Sequence, residues 1–198
     1  MKFVLASPMD LPIFVKKMYR LTSIIFILIG FLSCSTKEIN SNPSKVTFFS
    51  LVDFVSGEKK KLVREKTTLV KILQLNGKRD TLFLNRPDFE IELDVFIKAD
   101  INKPALSDKY RIDTILQKGK SLKIIYSSKD KRLHTQKLSI HYNSLGKVYL
   151  IDAYLFNGSP ITKSVQHLIY KPDFGYQIYD NQYFMGNKDE MKVDGFFK

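Results

Sequence analysis

Apolar residues recur at helical spacing over residues 46–66, where Phe48, Leu51 or Val52, Val55 and Leu62 share one side. Lys59, Lys60, Lys61, Arg64 and Lys66 gather toward the end of this segment, where cations suit the carbonyl-rich terminus of a helix. Gly57 weakens the segment and can split it. The next run, TTLVKILQL over 67–75, is rich in strand formers. Asn76-Gly77 is a hairpin signal, and Thr81 to Leu84 supplies a returning strand. Residues 87–99 carry two patterns. Phe89, Ile91, Leu93, Val95 and Ile97 alternate as in a strand. Against that, Pro87 followed by Asp88, Glu90 and Glu92 has the proline and the acids that open a helix, and Phe89, Leu93 and Phe96 share a helical face. We read 87–99 as helix.

From Tyr110 onward, turn residues punctuate the chain at Gly119, Asp130, Gly146, Gly158, Asp173 and Gly186. Strand-like runs lie between them: Leu122 to Tyr126, Leu138 to Tyr142, Val148 to Phe156, Val165 to Tyr170, Tyr176 to Phe184 and Met191 to Phe197. The gaps leave no room for crossover helices, so the sheet is expected to be an antiparallel meander. Leu138, Ile140 and Tyr142 alternate with Lys137, Ser139 and His141. Val148 to Phe156 is apolar on both faces except at Asp152, which suggests a central strand covered on both sides. The expected fold is mostly β (α+β), with one or two N-terminal helices packed on a curved antiparallel β-meander or half-barrel. In layout it resembles the half-barrel carriers of the lipoprotein-localisation type, or an open lipocalin-like sheet. Layout alone does not establish function.

Before the folded part, Leu21 to Ser33 (LTSIIFILIGFLS) is free of charge, preceded by Lys16, Lys17 and Arg20 and followed by Cys34. Thirteen residues make a helix of about 20 Å, short of the roughly 30 Å hydrocarbon core, so the run suits a secretory signal better than a permanent span. Phe31-Leu32-Ser33-Cys34 resembles the lipobox of bacterial lipoproteins, although Phe31 stands where Leu is usual. The resemblance covers residues 18–34. It implies diacylglycerol on the Cys34 sulfur, cleavage before Cys34, and acylation of the new amino group. A start at Met18 would give a compact signal, which makes residues 1–17 upstream sequence. Residues 35–45 are polar and rich in Ser and Asn and read as a tether, reaching at most about 40 Å. In enteric lipoproteins an Asp after the Cys favours the inner membrane. Ser35 at that position therefore implies the outer membrane of a bacterial cell envelope. The expected organisation is a signal peptide over 1–33, lipidated Cys34 with its tether to 45, and one globular domain over 46–198.

Composition narrows the chemistry. The 198 residues include one Cys and three His, which excludes a disulfide framework and a Cys-rich zinc site and supplies a His-based metal centre poorly. With four cations and one acid in residues 1–34, residues 35–198 hold 28 Lys and Arg against 19 acids, a net charge of +9. In an exported protein that excess points to an anionic lipid or glycan surface, with no nucleic acid as partner. Its densest runs are Lys59-Lys60-Lys61 and Lys129-Asp130-Lys131-Arg132. His134 and His141, seven apart on one expected strand run, would point to opposite faces; His167 stands alone. Hydrolase and phosphate-loop motifs are absent, and the anchor uses the single thiol. Asp88, Glu90, Glu92 and Asp94 are the one acid cluster that a hydrolase could use, and a solvated face explains them more simply. Tyr170, Tyr176, Tyr179 and Tyr183, with Phe174 and Phe184, form a late aromatic group. It serves either a ligand groove or ordinary cross-strand packing. The sequence thus predicts a lipid-anchored, non-catalytic binding or assembly module without cofactor or metal. A carrier of a lipid or acyl chain and an envelope hydrolase are the alternatives.

Overall fold

Ser50 opens the first helix, α1 (Leu51–Arg64), by accepting the Asp53 amide on its hydroxyl at 3.1 Å. A second cap comes from far along the chain: the buried Asp100 carboxylate accepts the Leu51 amide at 2.7 Å. A computed structural model of the protein describes residues 48–116 and 122–198. The expected signal, Cys34 and tether, and the Gly119 turn, lie outside the described residues.

Leu51, Val55, Lys59 and Leu62 form the buried stripe of α1, while Val52 stays exposed. Gly57 does not split the helix; its α-carbon faces open space. The 87–99 segment is helical, as two single turns, α2 (Phe89–Glu92) and α3 (Asp94–Lys98), broken at Leu93. Asp88 caps the first by accepting the Glu90 amide at 2.9 Å.

The rest is one antiparallel sheet of nine strands. These are β1 (Leu69–Leu75), β2 (Lys78–Leu84), β3 (Tyr110–Leu116), β4 (Leu122–Ser128), β5 (Thr135–Tyr142), β6 (Val148–Gly158), β7 (Thr162–Lys171), β8 (Gly175–Phe184) and β9 (Asn187–Phe197). Their order is β2-β1-β9-β8-β7-β6-β5-β4-β3, so β3 to β9 form a meander and the β1–β2 hairpin joins it beside β9. The edges β2 and β3 do not pair with each other, and the sheet is not closed into a barrel. Strand β3 is an element the sequence reading did not assign; it is an edge strand, exposed along most of its length.

The sheet buries one face. Leu138, Ile140, Ile151, Ala153, Leu155, Leu168, Tyr170, Tyr176 and Val193 project to that inner side and share a core with Leu51, Val55, Leu62, Phe89, Leu93 and Phe96. The Phe96 ring meets Tyr170 edge-on at 5.4 Å and Tyr176 at 6.2 Å, and Phe54 meets Tyr170 at 6.1 Å. Strand β6 is interior, as expected, but it is not covered on both sides. Ile151, Ala153 and Leu155 are buried, whereas Tyr149 and Tyr154 on the other face are exposed.

Two glycines let β8 and β9 approach. A Cβ on Gly195 would stand 2.5 Å from the Tyr176 ring, which lies over that position. A Cβ on Gly175, held at φ +138°, would stand 1.9 Å from the Gly195 carbonyl oxygen. Gly77 sits at φ +84° in the β1–β2 turn with nothing near it. We therefore expect Gly175→Ala to cost about 3 kcal/mol or more, lowering Tm by roughly 6–12 °C, and Gly77→Ala about 1 kcal/mol. Thermal denaturation of the two variants checks this; equal small losses would mean that β8 can shift away from β9.

Candidate functional site

On the outer face, strand register brings together side chains far apart in sequence. Lys137 on β5 lies opposite Tyr154 on β6, Tyr154 opposite His167 on β7, His167 opposite Tyr179 on β8, and Tyr179 opposite Lys192 on β9. The Tyr154 and His167 rings stack at 4.1 Å between centroids and 9° between planes; His167 and Tyr179 follow at 5.8 Å and 22°. The Lys137 ammonium lies 5.9 Å from the Tyr154 centroid, and that of Lys192 5.4 Å from the Tyr179 centroid. The result is a ladder of three rings between two cations. A register shift in β5 between Thr135 and Lys137 sets Lys137 in this row.

Because side chains stand roughly perpendicular to a sheet, rings stacked along it turn their edges to solvent. The ladder therefore offers hydroxyls, an imidazole edge and ammonium groups, rather than the flat ring faces a sugar would stack on. Asp152, also on β6, bonds the His167 Nε2 through Oδ1 at 3.0 Å and fixes the ring's orientation. Around Gln177, two residues before Tyr179 on β8, lies a hollow of about 220 Å³ lined also by Ile169, Lys171, Phe174 and Phe196. Tyr179 itself lines a second hollow of about 230 Å³, with Gln74, Asn181, Glu190 and Lys192.

The other histidines stand apart from this row. His134 lies in the turn before β5, not on the strand as expected, and its Nδ1 is 2.8 Å from Asn157 Oδ1. His141 is on β5 and buried, its Nε2 without a hydrogen-bond partner, as is the Ser139 hydroxyl two residues back. Burial, then the nearby Lys123 and Lys137 ammonium groups, hold the His141 pKa below its ordinary value; the Asp152 carboxylate opposes them. His141 is thus poised to stay neutral. Among the described residues, no group of three His, Cys, Asp or Glu is placed to hold a metal ion.

The acid cluster of the sequence is engaged in structure. Asp88 caps α2. Glu90 pairs with the buried Lys59 at 2.8 Å, and Asp94 pairs with Lys98 at 2.8 Å. Glu92 pairs with Lys71 at 2.8 Å and accepts the Tyr176 hydroxyl at 2.5 Å. The basic runs are likewise partly spent. Lys61 pairs with Asp173, and Arg132 forks onto Asp130 at 2.8 Å. The late aromatics divide between the faces. Tyr170 and Tyr176 are buried on the inner side, and burial raises both hydroxyl pKa values. Tyr179 joins the ladder, and Phe174-Gly175-Tyr176 lines the 220 Å³ hollow.

Reading the sequence residue by residue left His167 isolated. Its partner was within reach of a hairpin argument, since Tyr154 and His167 stand at equal distances from the turn after Gly158. The chain matches no protein-family model, no curated protein and no solved structure.

Two measurements probe this face. In a double-mutant cycle of Tyr154→Ala and His167→Ala, we expect a coupling of about 0.5–1.5 kcal/mol in denaturant unfolding; strict additivity would dissolve the ladder. The second is pH dependence. An unfolded imidazole takes up its proton near 6.5, and the folded His141 only at lower pH. The stability that His141 contributes is therefore full above about pH 6.5 and is lost as pH falls through the lowered folded value. Between pH 7.5 and 5.5 the protein should lose more stability than His141→Gln does, and parallel losses would count against a buried neutral imidazole.

Proposed function

We propose that this protein is a lipid-anchored binding or assembly module of the bacterial cell envelope. Cys34 carries the acyl anchor, and the outer face of the sheet is the binding surface. The observation behind this reading is the contrast between the two faces of the sheet. Aromatic and aliphatic side chains fill the inner side, while the outer side holds the ladder of Lys137, Tyr154, His167, Tyr179 and Lys192, with one hollow lined by Tyr179 and Lys192 and another around Gln177 and Phe196. Helical segments packed on a curved sheet, with an open convex face, is the architecture that goes with it.

The carrier alternative needs room for an acyl chain between helices and sheet. The Phe54, Phe96, Tyr170, Tyr176 and Phe197 rings form a connected cluster in that space, with neighbouring centroids 5.4–6.3 Å apart, which disfavours it. The hydrolase alternative needs acids that are available to a substrate, and Asp88, Glu90, Glu92 and Asp94 are each held by a cap or an ion pair. The excess of cations suits an anionic lipid or glycan surface as the partner, without a role for nucleic acid. The anchor resemblance, with Ser35 after Cys34, supports the outer membrane over the inner.

Intact-mass and peptide mass spectrometry of the protein extracted from its own membranes tests the anchor. We expect a mature chain that begins at acylated Cys34, and an unacylated chain for Cys34→Ala. An unmodified Cys34 on a chain retaining residues 18–33 would replace the lipid anchor with a membrane-embedded apolar segment and remove the envelope-lipoprotein reading.

A further inference from the structure

Three phenylalanines crowd one end of the outer face. Phe83 on β2 lies opposite Val70 on β1, Val70 opposite Phe196 on β9, and Phe196 opposite Gly175 at the start of β8, beside Phe174. Phe83 and Phe174 are each 74% exposed and Phe196 is 42% exposed. Between Phe174 and Phe196 lies the 220 Å³ hollow, lined by Ile169 and Lys171.

Exposed cations surround this aromatic end. Lys66 and Arg86 line one hollow at the end of α1 and β2. Lys171 lies opposite Gly175, and Lys198 exchanges backbone hydrogen bonds with Thr68 just ahead of β1. None of these four forms an ion pair with a described residue. The opposite end of the sheet also exposes apolar side chains, Ile161, Phe184 and Met185, but there the cations Lys78, Arg79 and Lys163, which pair with no described residue, share the end with the acids Asp80, Asp189 and Glu190. There Lys188 pairs with Glu190, and the Asn76 amide donates to Asp189 at 2.8 Å. Aromatic side chains ringed by uncompensated Lys and Arg suit the interface of an anionic bilayer, where rings enter the headgroup layer and cations meet lipid phosphates.

We propose that the sheet end bearing Phe83, Phe174 and Phe196, with Lys66, Arg86, Lys171 and Lys198 around it, seats on an anionic lipid bilayer. The inference rests on the lipid-anchored reading, because a tether of at most about 40 Å keeps the domain within reach of the membrane. It adds that the domain lies down on the bilayer by one defined end, leaving the ladder on β5 to β9 for a partner.

The chain contains no Trp, so a single introduced Trp is a sole reporter. Full-length Phe174→Trp, Phe196→Trp and Ile161→Trp are extracted from membranes. Each is reconstituted into phosphatidylglycerol–phosphatidylethanolamine vesicles with and without brominated acyl chains. The expected result is blue-shifted emission, quenched by bromine, at 174 and 196, with unshifted and unquenched emission at 161. Combined Lys66→Glu, Arg86→Glu and Lys171→Glu should abolish the quenching at 174. If the chain floats with the vesicles and residue 174 stays unquenched, or 161 is quenched as strongly, the docking is overturned while the anchor stands. Quenching at 174 on a chain whose Cys34 is unmodified would uphold the docking and remove the lipid anchor. A chain that neither floats nor is quenched overturns both.

Discussion

The Glu92 carboxylate sits between the Lys71 ammonium of β1 and the Tyr176 hydroxyl of β8, and is only 11% exposed. It joins the 87–99 helical segment to two strands that β9 separates. A buried phenol must donate its proton to some acceptor, and a poorly solvated carboxylate must keep a cation beside it. Glu92 meets both needs at once, and removing one member of such a group strands the others, at a cost of about 3–5 kcal/mol. The same device recurs nearby. Tyr170 donates to Glu58 on α1 at 2.8 Å, and Lys59 of α1 reaches Glu90 of α2. The acid cluster and the first basic run, which in the sequence suggest chemistry or a charged surface, largely serve to tie helical segments to each other and to the inner face.

Because these ties and the core lie on one side, the other side of the nine-stranded sheet is mostly left to solvent, with Ser139 and His141 of β5 buried there. Antiparallel register then decides what it shows. Every second residue of five neighbouring strands contributes one member to a single row, which is how Lys137, Tyr154, His167, Tyr179 and Lys192 come to stand in line. Stacking turns the rings edge-on, and Asp152 fixes the central imidazole. The row is consequently a surface of hydrogen-bond donors and acceptors with cations at its ends. Such a surface suits recognition of a polar partner more than sequestration of an apolar one.

The excess of positive charge is divided in the same way. Lys59, Lys61, Lys71 and Arg132 are held in ion pairs with acids of the chain. Among the cations that form no ion pair with a described residue, Lys66, Arg86, Lys171 and Lys198 are gathered by register and turns at the aromatic end of the sheet.

The sequence by itself determined the local elements. The 3.6-residue spacing set α1, the Asn76-Gly77 pair set the β1–β2 hairpin, Pro87 with its following acids made 87–99 helical, and turn residues with short gaps made the later strands antiparallel. Each of these depends on neighbours within a few residues. The edge strand β3 escaped notice because it buries little and so carries a weak pattern. The site was far less legible. The aromatic row, the stranded Ser139 and His141, the helix cap from Asp100 and the close approach of Gly175 to Gly195 join residues many positions apart. Only the tertiary structure decided them, because pairing register and one-sided burial follow from how the whole sheet assembles and not from any one segment.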